Sequence, residues 1–134
     1  EIREIIYIPE NVVIKTAGEL PTILADRTKM HQLFQNFLSN AVVNIDKPEG
    51  EVVIGFKEHK KHWEFSIADN GVGIPEEYHE KIFQIFQSIG NKERSTGIGL
   101  SIVKKIIDRY KGKVWLTSEI GKGTTFFFTL KKQP

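Results

Sequence analysis

Asp69 is the residue of this sequence that most needs a chemical explanation. Trp63, Phe65 and Ile67 alternate with polar residues, as on a strand with one buried face, and Asp69 follows in the same phase. The strand therefore aims a carboxylate at the core, where it is costly unless hydrogen-bonded. Gly71 and Gly73 follow in "DNGVGIP". Asn-Gly after a strand is also a strong hairpin signal. A hairpin needs a returning strand, however, and Pro75 opens a helix instead. The functional alternative is a carboxylate that accepts a hydrogen bond from a ligand's amino group, with the glycines letting backbone approach a flat ring.

Two further groupings have chemical potential. In "QNFLSNAV" Asn36 and Asn40 are one helical turn apart and flank the apolar stripe. Their amide oxygens are hard donors, suited to Mg²⁺ alongside phosphate and water. Taken alone they also read as two surface asparagines, although asparagine is a poor helix former. In "STGIGLSIV" Gly97 and Gly99 open a helix whose first amides lack intrahelical partners, an arrangement that attracts anions. Alone it also reads as a flexible loop meeting a helix. The Lys-Ser/Thr ending of a P-loop is absent, and no strand leads directly into it as a Rossmann fingerprint requires.

The elements that must position these groups follow from periodicity. "IIYIPENVVIKTA" reads as a strand or two with a break at Pro9, and "LPTILAD" as a short extended piece. Met30, Leu33, Phe34, Phe37, Leu38, Ala41, Val42 and Ile45 recur at helical steps, with Asp26 as N-cap and "KPEG" as the stop. "EVVIGF" and "HWEFSIAD" form a hairpin across "KEHKKH". "PEEYHEKIFQIF" is a short helix and "QSIGNKERST" a loop. "GIGLSIVKKIIDRYKG" is a helix with Leu100, Val103, Ile106, Ile107 and Tyr110 on one face and Gly112 at its end. "KVWLTS" and "TTFFFTL" pair around "EIGKG". The close β–β spacings predict an α+β fold: a two-layer sandwich of a mixed, mainly antiparallel sheet with about three helices on one face.

Composition narrows the function classes. The 134 residues suit a single domain spanning 1–134, and 40% hydrophobic residues can bury a real core. A net charge of +2 with interspersed signs argues against nucleic acid or an anionic membrane as the main partner. With no cysteine there is no disulfide or thiolate metal site, and the four histidines are scattered without ligand spacing. No apolar run is long enough to span a bilayer and no signal peptide is visible. The chain begins in mid-pattern at Glu1 and reads as a soluble, monomeric fragment of something longer.

In this order the three groupings resemble the catalytic ATP-binding domain of sensor histidine kinases, in the superfamily of gyrase-type ATPases with the Bergerat fold. "NFLSNA" matches its N box, "DNGVGIP" its first glycine box, "KIFQIF" its phenylalanine box and "TGIGLSIVKKI" its second glycine box. "GKGTTFFFTL" resembles its closing hairpin. The resemblance covers nearly the whole chain. It implies that Asp69 accepts a hydrogen bond from the adenine amino group of ATP, and that Asn36 and Asn40 hold Mg²⁺ and the phosphates. It places Gly97 and Gly99 beside the triphosphate and Lys92 and Arg94 on a mobile lid over residues 87–96. Gly71, Gly73, Ile74, Thr96, Ile98, Leu100 and Thr125 complete the nucleotide site it implies, and Phe83 or Phe86 supports the lid.

The superfamily's hydrolases and serine kinases usually carry a glutamate base where this chain has Asn36. An amide cannot take a proton at neutral pH, whereas a neutral imidazole acceptor needs little activation. The resemblance therefore implies γ-phosphoryl transfer to a histidine on a separate dimeric helical domain, with Asn36 in the catalytic position. It also implies a response regulator as partner and a cytoplasmic domain, even where the parent protein is membrane-anchored. Val43 and Asn44 depart from the family's usual basic and aromatic residues after the N box, and Ser95 and "YKG" depart elsewhere. A non-catalytic nucleotide sensor or regulator-docking module is the alternative they raise.

Overall fold

The computed structural model describes residues 12–16, 27–79 and 97–132. In chain order these form β1 (Val12–Thr16), α1 (Arg27–Val43), β2 (Gly50–Glu58), β3 (His62–Asp69), a 3-10 turn (Glu76–Tyr78), α2 (Gly97–Arg109), β4 (Val114–Glu119) and β5 (Gly123–Lys131). The strands make one sheet in the order β1-β2-β3-β5-β4. β1 runs parallel to β2, and the other three pairings are antiparallel. The expected mixed, mainly antiparallel α+β sandwich is what the chain forms. Two α-helices and the 3-10 turn appear among the described residues. The remainder of the helix expected from Pro75 lies outside them, as do Pro9, Asp26, Phe83 and Phe86.

Period-two patterning sets the buried face. Val52 and Ile54 of β2, Phe65 and Ile67 of β3, and Phe126, Phe128 and Leu130 of β5 are all buried. The apolar stripe of α1 closes over them through Leu33, Phe37, Leu38, Ala41 and Val42, and α2 adds Val103, Ile106 and Ile107. Aromatic rings dominate the contact. Phe37 stacks on Phe128 at 5.1 Å and Phe65 stacks on Phe128 at 5.2 Å. Phe34 meets Phe65 edge-on at 5.5 Å. The result is a rigid platform under the C-terminal half of α1, the half that carries the asparagines.

The end of α2 differs in detail from the sequence expectation. The residue with left-handed backbone is Lys111, at φ 56°, not Gly112. The Lys111 and Gly112 amides donate to the carbonyls of Asp108 and Ile107, which completes the helix end. Gly112 is needed for another reason: a Cβ there would sit 1.7 Å from the Thr129 carbonyl oxygen. The glycine lets the helix end lie against β5.

Phe37→Ala removes a fully buried ring stacked on Phe128. It should lower stability by about 3–5 kcal/mol, read as a shifted urea midpoint with an unchanged m-value.

Candidate functional site

Asp69 ends the middle strand of the sheet. In register it lies between Val52 of β2 and Thr124 of β5, both buried. The carboxyl is itself buried. Its Oδ1 accepts hydrogen bonds from the Gly71 amide at 2.8 Å and the Thr124 amide at 3.4 Å. Its Oδ2 is buried and has no hydrogen-bond partner among the described residues. Burial pushes the carboxyl up from 3.8 to about 6; the Gly71 and Thr124 amides and the charge of Lys47 pull the other way.

The turn that follows is locked from three directions. Asn70 continues the β2–β3 pairing with its side chain: Oδ1 accepts from the Glu51 amide at 2.8 Å and Nδ2 donates to the Glu49 carbonyl at 3.0 Å. The Val72 amide donates to the Asn44 carbonyl just past α1, and the Gly121 amide of the β4–β5 turn donates to the Val72 carbonyl. The Ile74 amide donates to Ser118 Oγ at 2.7 Å. Ser118 in turn donates to the Gly123 carbonyl at 3.0 Å, which leaves Thr124 as donor in their 2.8 Å hydroxyl contact. The Lys47 ammonium donates to the carbonyls of Asn70 and Gly71 at 2.6 and 3.1 Å.

The glycines owe their identity to protein backbone. A Cβ on Gly71 would lie 2.4 Å from the Asn44 carbonyl oxygen. Gly73 has φ 82°, and a Cβ there would lie 2.4 Å from the Glu119 carbonyl oxygen. Space for a ligand ring, the reason suggested by the sequence, is therefore not needed to explain them. Close approach to the end of α1 and to the β4–β5 turn already demands glycine at both places.

Asn40 is buried and Asn36 partly exposed, one turn apart on α1. They lie about 6 and 12 Å along the helix axis from Asn44, whose carbonyl holds the Asp69 turn. The asparagine ladder thus runs away from the carboxyl on the same side of the sheet. Ile74 is buried in the turn that follows Asp69. Gly97, Ile98, Gly99 and Leu100 form the first turn of α2, which packs on α1. Lys92, Arg94 and Thr96 lie outside the described residues.

Thr125 requires a correction. The alternation of β5 pairs it with Ala68 and turns it to the opposite face, whereas buried Thr124 is the threonine beside Asp69. Counting in twos from Phe126 would have found this. Sequence reasoning also missed Ser118 and Lys47. Neither sits in a motif, and both reach the site only through folding.

No cluster of three or more His, Cys, Asp or Glu residues able to hold a metal occurs among the described residues. Two neutral amide oxygens fit Mg²⁺ only where phosphate and water complete its shell. That chemistry matches the donor set of Asn36 and Asn40.

Residues 25–134 match the family described as histidine kinase-, DNA gyrase B-, and HSP90-like ATPase. The chain belongs to this family. Within it, this is an ATP-binding domain of the sensor histidine kinase type. Cyanobacterial phytochrome A of Nostoc sp. is 39% identical over 117 residues, covering 86% of this chain and 15% of its own length. The adaptive-response sensory kinase SasA of Prochlorococcus marinus is 35% identical over 133 residues, covering 95% of this chain and 36% of its own. The chain thus spans a small part of these relatives. The catalytic domain of histidine kinase ThkA superposes with TM-score 0.75 at 33% identity, covering 92% of this chain and 81% of that one. Full-length ShkA, solved in complex with AMPPNP, gives 0.76 at 28% identity, covering 92% of this chain and 26% of that one.

The histidine-kinase-type domain should carry the cost of Asp69 in its stability. The folded carboxyl, near 6, holds its proton more tightly than the unfolded chain, near 3.8. Its contribution is intact below pH 3.8 and is lost as the pH rises through about 6, by about 3 kcal/mol. Urea denaturation of wild type and Asp69→Asn across this window should show a falling component that the variant lacks.

Proposed function

We propose that this domain binds Mg-ATP and transfers its γ-phosphoryl group to a histidine on a separate dimeric helical domain, in two-component signalling. One observation carries the reading: a buried carboxylate oxygen, Asp69 Oδ2, without a described partner at the end of the central strand. An ionised carboxylate only accepts hydrogen bonds. The adenine 6-amino group is a donor of the size and flatness that such a site takes. Family membership supports this assignment.

The asparagine ladder extends from the base end toward where a triphosphate would lie, and Asn36 and Asn40 are the residues that would hold Mg²⁺ there. The ion would supply charge neutralisation for the phosphates. The first amides of α2 at Gly97–Leu100 offer partial positive charge to phosphate oxygens. Lys92, Arg94 and Thr96 carry the donors that would meet phosphate oxygens. Gly71, Gly73 and Ile74 hold the turn in shape, and Thr124 takes the part expected of Thr125.

Transfer needs no base in this chain. The lone pair of a neutral imidazole attacks the γ-phosphorus, the bond to the β–γ bridging oxygen breaks, and ADP leaves with that electron pair. The new phosphoimidazolium then gives its N–H proton to water. Asn36 stands where a hydrolase would need a proton acceptor, so positioning and charge stabilisation are the domain's contribution. A response regulator would receive the phosphoryl group.

Mixing the domain with a matching acceptor domain and γ-labelled ATP should yield acid-labile phosphate on histidine, with hydrolysis by the domain alone near background. Asp69→Asn should remain folded yet bind ATP at least about tenfold more weakly. A folded variant with normal affinity would remove Asp69 from the site. Lack of binding by wild type at millimolar ATP would favour the non-catalytic module that Val43 and Asn44 suggest. Mg²⁺ alone should leave the amide resonances of α1 unmoved, and should shift them once ATP is present.

A further inference from the structure

Lys47 belongs to no motif and stands in the connection between α1 and β2. Its ammonium donates to the Asn70 carbonyl at 2.6 Å. The amide of that same peptide unit is the Gly71 N–H, which donates to Asp69 Oδ1 at 2.8 Å. One peptide thus joins a cation to a buried carboxyl, with the cation on its oxygen and the carboxyl on its hydrogen. Hydrogen bonds arranged in series polarise one another, and most strongly where water is excluded. A second bond, to the Gly71 carbonyl at 3.1 Å, fixes the ammonium over the turn.

We propose that Lys47 is a positioning residue for Asp69, acting through the Asn70–Gly71 peptide. Its charge strengthens the Gly71 amide's bond to Oδ1 and so leaves Oδ2 as an ionised acceptor for a purine amino group. The inference rests on the nucleotide reading above, and it explains how a site with Val43 and Asn44 in place of a basic and an aromatic residue still carries a cation. The cation serves the base end rather than the phosphates.

Among the described residues, the other charges around the carboxyl are otherwise engaged or outward. Glu51 pairs with Lys15 at 2.9 Å and Glu119 with Lys122 at 3.0 Å. The His79 ring is bonded to the Ile74 carbonyl at 2.8 Å. Asp46 and Glu49 are exposed, and the Asp46 carboxylate stands 3.7 Å from the Lys47 ammonium. The last two turns of α1 carry no charged residue. Lys47 is the described charge that acts on Asp69.

The test follows the Asp69 carboxyl carbon by NMR against pH in the nucleotide-free chain, together with Mg-ATP affinity against pH. Lys47→Met keeps the aliphatic stem and removes the charge; Lys47→Gln keeps a donor without charge. Both should raise the Asp69 midpoint by about one pH unit. Affinity should fall about fivefold at pH 6 and rejoin wild type above about pH 8.5. Lys47→Arg should restore the wild-type midpoint. A midpoint unmoved in the neutral variants, with affinity lost equally at every pH, would overturn the proposal and leave Lys47 a structural tether. If wild type binds no ATP at any pH, the nucleotide reading fails, while the NMR midpoints still decide whether Lys47 acts on Asp69.

Discussion

A carboxyl buried at the end of the central strand constrains everything near it. Two backbone amides reach Oδ1, and each such bond contributes roughly 1.5–3 kcal/mol when the acceptor is charged. The 3.4 Å bond from Thr124 lies at the weak end of that range. Together with Lys47 they leave the carboxyl displaced upward to about 6, so desolvation still exceeds what the protein supplies. The hydroxyl of Thr124, the residue paired with Asp69 across the strands, is committed to Ser118. Among the described residues no group satisfies Asp69 Oδ2, and this open acceptor is the one the proposed nucleotide would use.

The surrounding structure holds that acid in place despite its cost. The turn after Asp69 is tied to β2 through the Asn70 side chain, to the end of α1 through Asn44, and to the β4–β5 turn through Val72 and Ser118. These ties leave no room for a Cβ at Gly71 or Gly73. Beneath them the stacked rings of Phe37, Phe65 and Phe128 join α1 to β3 and β5. The helix that supplies core rings also supplies the asparagines, so one packing arrangement sets both the platform and the spacing between acid and amides. Rigidity of this kind orients a site at little entropic cost on binding.

A fully satisfied Asp69 would stabilise the folded domain and have less to offer a nucleotide. Lys47 moderates this conflict through one peptide bond: it favours the ionised form without occupying Oδ2. Family membership supplies the kind of nucleotide. The physical chemistry of the strand end explains why an acceptor stands ready there.

Much of this was legible in the chain. Alternation in β2, β3 and β5 and the helical stripe of α1 gave the layers, because burial on one face of a strand or helix imposes a period that local sequence must follow. The inward phase of Asp69 follows from the same count. The asparagine spacing and the glycine-led helix start were visible because each depends on residues close in sequence. Other features came only with the tertiary structure. Thr124, not Thr125, stands beside the acid; Lys111, not Gly112, takes the left-handed place; and Gly71 and Gly73 are explained by backbone neighbours from α1 and the β4–β5 turn. Lys47 and Ser118 reach the site from 22 and 49 residues away in sequence. Such contacts form when separate segments converge, and no local period records which atoms will then meet.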